Sequence, residues 1–97
     1  MTNLITVVAL MRAKPGKEAQ LRAAALALVE PTRKEQGCVQ YDLHEHLTDP
    51  AWLVFYENWT SAEDLDRHGT SEHIKAFRAV APDLVEHSRV ERYRRIA

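Results

Sequence analysis

An α+β sandwich, in which helices cover one face of a four-stranded antiparallel sheet, is predicted by three features of this chain. The stretches LITVVALMR (4–12) and AWLVFYENW (51–59) are apolar on both parities, the pattern of strands covered on both faces. Between the strand-like stretches the apolar period lengthens to that of a helix, giving the order strand, helix, strand, strand, broken helix, strand. At 97 residues the chain is one domain that buries only roughly 60–65% of its unfolded surface. It has helices for one sheet face, so a second copy is expected on the other.

The first strand, rich in β-branched residues, ends at Lys14-Pro15-Gly16. From Lys17, Leu21, Ala25, Leu28 and Thr32 recur at spacings of four and three, predicting a long helix. Pro31 should kink that helix rather than divide it, because it removes one backbone donor and crowds the carbonyl of Ala27. Gly37 supplies a left-handed residue to close it. Residues 38–46 alternate, with Val39, Tyr41 and Leu43 on one side, and the turn Leu47–Pro50 joins them in a hairpin to 51–59. There Leu53, Phe55, Glu57 and Trp59 share one face, and Trp52, Val54, Tyr56 and Asn58 the other. Thr60 with Glu63 predicts a capping box opening a short helix that Gly69 breaks. A further helix restarts at Thr70 or Ser71, with Ile74, Phe77, Ala81 and Leu84 or Val85 on one face and Pro82 late in the run. The last strand, about 89–96, is polar enough to predict an edge position. This is the split βαββαβ order of a ferredoxin-like fold, a single domain over 1–97.

A net charge of −1 gives no general attraction to nucleic acid or anionic membranes. Arg89, Arg92, Arg94 and Arg95 read as solvated positions of the final strand. One cysteine, Cys38, excludes an internal disulfide and fits a reducing, cytoplasmic setting. The apolar run Leu4–Met11 is too short for a membrane span, and short for a signal core.

Four groups of residues, over nearly the whole chain, resemble the antibiotic biosynthesis monooxygenase family, which includes quinol monooxygenases. They are Lys14-Pro15-Gly16-Lys17-Glu18; Thr32-Arg33-x-Glu35-x-Gly37-Cys38-x-x-Tyr41; Tyr56-Glu57-x-Trp59; and His68 with Ser71-x-His73-x-x-x-Phe77. The resemblance implies a dimeric α/β barrel with a pocket between sheet and helices. It implies oxidation of a quinol or polycyclic phenol by molecular oxygen without metal, haem or flavin. Other members of the fold isomerise small hydroxyketone signals, degrade haem or have no known chemistry. Haem-degrading relatives carry an Asn in the first strand, and Leu4–Arg12 contains none.

Such chemistry needs a base, a donor to hold the anion and a dry apolar wall. His68 is the candidate base, its imidazole titrating near neutral pH, against the alternative of a helix-end cap. Trp59 is wall and N–H donor, or an ordinary core aromatic. Tyr41, Glu57, Asn58 and Phe77 are the substrate-binding candidates. A buried Glu57 must be paired or protonated, and an arginine partner is the favoured expectation. Asn58, on the opposite parity, points more naturally to the subunit contact, and Tyr41 more naturally to ordinary strand packing. His44-x-His46 offers two imidazoles on one strand face but no completing ligand, so no metal is expected. Cys38 reads as a small buried residue.

Overall fold

The computed structural model describes residues 3–97. Its elements are β1 (Ile5–Ala13), α1 (Glu18–Leu26), α2 (Val29–Arg33), β2 (Cys38–Glu45), β3 (Trp52–Trp59), α3 (Ala62–His68), α4 (Glu72–Leu84) and β4 (Val85–Arg94). The sheet is antiparallel throughout, in the order β2-β3-β1-β4. The two strands apolar on both parities, β1 and β3, are therefore the central pair, and the arginine-rich β4 is an edge.

The register sets the side chains in cross-strand rows. One row runs Tyr41, Glu57, Val7, Arg92 and the next Leu43, Phe55, Ala9, Val90. These rows lie on the face that the helices cover, where Val7, Phe55, Tyr41 and Glu57 are buried with Leu21, Ala25 and Leu28 of the first helical stretch. The intervening rows, with Val8 and Tyr56, and Leu10 and Val54, lie on the opposite face and stay half-buried or exposed in the single chain.

Several local expectations change. The predicted long helix is two segments, although Ala27 and Leu28 between them keep right-handed helical angles. Pro31 has no N–H to give the Ala27 carbonyl, so the ladder lapses there and resumes with Thr32 N–H to Leu28. Gly37 does adopt the left-handed conformation, φ +84°, but at the entry to β2 and not on the helix end, which is capped by Lys34. A bulge between Cys38 and Gln40 turns Val39 out to solvent, away from the Tyr41 side. The cap of α3 is Ser61, one residue later than expected: its hydroxyl accepts from Asp64 N–H, while Thr60 donates to the Asp64 carboxylate. Ser71 caps α4, Pro82 is tolerated near its end, and β4 follows with no loop, so the strand begins at Val85 and not near residue 89. Among the described residues no helix is long and apolar enough to cross a membrane.

Candidate active site

The cross-strand rows form the floor of a cavity of about 540 Å³, roofed by α3 and α4. Tyr41, Phe55 and Glu57 line it from the sheet, His68 from α3, and Ile74 and Phe77 from α4. Local capping explains the placing of His68. β3 ends at Trp59, Ser61 starts α3 at once, and two turns later His68 returns over the end of the strand, its ring centroid 4.8 Å from that of Trp59 and 5.6 Å from that of Tyr41. Gly69 and Ser71 then reverse the chain, with Ser71 Oγ donating to the His68 carbonyl at 2.7 Å.

The electrostatics follow from burial. Glu57, 4% exposed, has its carboxyl pushed up to about 7, chiefly by desolvation, with the Glu35 charge adding to the rise. A hydrogen bond from the Trp59 indole N–H to Glu57 Oε1, 2.9 Å long, opposes the shift. The expected arginine partner is not there: Arg92, in the same row, donates instead to Asp66. His68 is lowered from its ordinary value by burial, against the opposing pull of Glu35, so the ring is neutral at pH 7. Burial and the Glu57 charge raise the Tyr41 phenol, which stays protonated.

The structure thus brings His68, Glu57, Tyr41 and Phe77 to one cavity. Trp59 is fully buried behind it and outside its lining, with its N–H committed to Glu57, so it is not available as a donor to a ligand. Asn58 lies on the opposite sheet face, its amide engaged by Thr6 and Gln40. His46 Nδ1 accepts from the backbone of Thr48 and Asp49, serving the hairpin turn. The half-buried Cys38 has its thiol pushed up to about 11 by burial, which leaves it a poor nucleophile. Two residues that sequence reasoning did not assign to the site adjoin it: Glu35 Oε2 lies 2.6 Å from His68 Nδ1 and 2.9 Å from His73 Nε2. Both stand in the family-like motifs, Glu35 two residues before Gly37 and His73 two after Ser71, but nothing in their spacing joins them.

The family model described as antibiotic biosynthesis monooxygenase matches residues 4–80. The chain belongs to this family. A relative in Mycobacterium tuberculosis, named "Putative monooxygenase Rv0793", is 38% identical over 85 residues, covering 88% of this chain and 83% of its own length. The crystal structure of PA3566 from Pseudomonas aeruginosa superposes with a TM-score of 0.96 at 33% identity, covering 100% of this chain and 98% of that one. The structure of Rv0793 itself gives a TM-score of 0.90 at 33% identity, covering 97% of this chain and 96% of its own. Membership makes this chain one more monooxygenase-type domain of the family.

Proposed function

We propose that the protein is a cofactor-independent monooxygenase, working as a cytoplasmic homodimer on a quinol or polycyclic phenol. The observation that carries this reading is the pairing, in one largely apolar cavity, of a neutral imidazole with a carboxyl that titrates near 7. At about 540 Å³ the cavity is within the ~300–1,000 Å³ of small-molecule sites. The half-exposed Val8, Leu10, Val54 and Tyr56 support a second copy packed on the open sheet face.

In this mechanism His68 takes the proton of a substrate hydroxyl, leaving an aryloxide electron-rich enough to reduce oxygen. The apolar walls around Phe55, Ile74 and Phe77 exclude water from it. One oxygen atom ends on a ring carbon and the other leaves as water. Quinol plus O2 becomes hydroxyquinone plus water, with the substrate the sole electron donor. Glu57, in its protonated form, delivers the proton that the departing oxygen needs. Trp59 contributes by holding Glu57 and by backing the His68 ring.

The test is oxygen uptake with a reduced naphthoquinol by metal-stripped protein. His68→Ala should lower kcat about 10²–10⁴-fold, the usual worth of a positioned general base. Uptake unchanged in that variant would overturn the assignment, and turnover without oxygen would point instead to an isomerase.

A further inference from the structure

Glu35 lies outside the cavity lining, in the 34–37 segment joining α2 to β2. Its Oε2 is shared by imidazoles from two other elements, His68 at the end of α3 and His73 in the first turn of α4. The three side chains are well shielded, at 16%, 9% and 21% exposure respectively. Two imidazoles and a carboxylate could hold a metal, but in this structure the imidazoles bond directly to the carboxylate. Zinc bonds of about 2.0–2.1 Å at tetrahedral angles set neighbouring donor atoms about 3.3 Å apart. Separations of 2.6 and 2.9 Å are those of hydrogen bonds.

An ionised carboxylate only accepts, so each imidazole must present an N–H to it. For His68 that places the proton on Nδ1. In the neutral ring Nε2 is then the lone-pair nitrogen, and among the described residues nothing bonds to it. We propose that Glu35 is a positioning residue that fixes His68 with Nδ1–H engaged and Nε2 free as the base, with His73 holding the same carboxylate oxygen from α4. This rests on the reading of His68 as the base. When Nε2 takes a proton, the imidazolium meets Glu35 in a charge-assisted hydrogen bond. The other charged or titratable groups around the ring are His73 and Arg78 of α4, which oppose its charge, and Tyr41 and Glu57 in the cavity floor. Glu35 is thus the group that offsets burial.

The experiment is two-bond nitrogen–proton NMR on the full chain labelled at histidine nitrogen, with the His68 ring assigned by its loss in His68→Gln. The wild type should show His68 with its proton on Nδ1. Glu35→Ala should move it to Nε2 and lower kcat for quinol oxidation about 10²-fold with KM little changed. Glu35→Gln, which keeps an acceptor without the charge, should retain the Nδ1–H form and titrate His68 at lower pH. A tautomer unchanged between wild type and Glu35→Ala overturns the proposal. So does stoichiometric zinc binding, lost in Glu35→Gln, that removes both imidazole N–H signals. A tautomer switch in protein that oxidises no quinol supports the positioning role and overturns only the reaction assigned to the site.

Discussion

Replacing Glu57 by glutamine removes the titrating carboxyl from the cavity floor while leaving an oxygen to accept from Trp59, and the consequence is a change in how stability depends on pH. In the native state this carboxyl titrates at about 7 against an ordinary value of 4.5. A carboxyl raised on folding binds its proton more tightly in the native state, so the native state holds more protons than the unfolded chain between these values. Its contribution is therefore fully present below about 4.5 and is lost as the pH rises through 7. Raising the carboxyl from 4.5 to about 7 corresponds to about 3 kcal/mol. The assay is urea unfolding from pH 4 to pH 8 at fixed protein concentration, followed by tryptophan fluorescence. Relative to Glu57→Gln, the wild type should lose about 3 kcal/mol across that range, a midpoint change of about 1–3 M urea at usual slopes. Tyr41 and Cys38, which the Glu57 charge also raises, stay protonated across this range, so the difference reads this carboxyl together with its coupling to Glu35. A difference flat with pH would rule out a raised Glu57 carboxyl, since it would mean that Glu57 is solvated or paired with a cation in the folded protein.

Trp59→Phe should push the Glu57 carboxyl further up, because the lost indole bond was lowering it. The pH-dependent loss of stability would then extend to higher pH, and the orphaned acceptor would cost about 1–3 kcal/mol besides. Gly37→Ala should cost about 1–3 kcal/mol from the left-handed backbone, and more as its methyl would overlap the Asp64 carboxylate that ties Thr60, Ser61 and Arg67 together; thermal unfolding measures it. Leu10→Glu puts a charge in the middle of the open sheet face without touching the cavity, and should shift the proposed dimer to monomer in light scattering.

The order of elements was legible because it rests on periodicity. Runs such as LITVVALMR and AWLVFYENW have no wet parity, and that alone places them at the centre of a sheet, with the polar β4 at its edge. What escaped depends on single backbone groups. Ser61 and Thr60 are adjacent hydroxyl residues, and either could cap α3; the choice turned on which of them reaches Asp64 N–H. Val39 alternates correctly in sequence, but the bulge adds one residue to β2, and a strand that gains one residue turns the displaced side chain to the other face. The helix break at Ala27–Leu28 is a lapse of hydrogen bonding along a path that stays helical, and a residue pattern cannot separate a kink from a division when both share the same angles.

The candidate site divides along the same line. Parity placed Glu57 on the helix-facing side of β3 and Asn58 on the other, so the first is at the cavity and the second in a polar cluster with Thr6 and Gln40. Parity also put Trp59 with Glu57, correctly as to face, but residues two apart on a strand can satisfy each other, and that local bond makes the indole a support for the carboxyl. Glu35 and His73 are 38 positions apart, in a connecting segment and a first helical turn, and neither apolar spacing nor composition links such places. They meet because Ser71 turns the chain back over the end of α3 while Gly37, in a left-handed conformation that would strain its neighbours, sends the chain from Glu35 into β2. The capping serine and the left-handed glycine are each readable as punctuation. Their product, one carboxylate oxygen held between two imidazoles, exists only where the two turns converge.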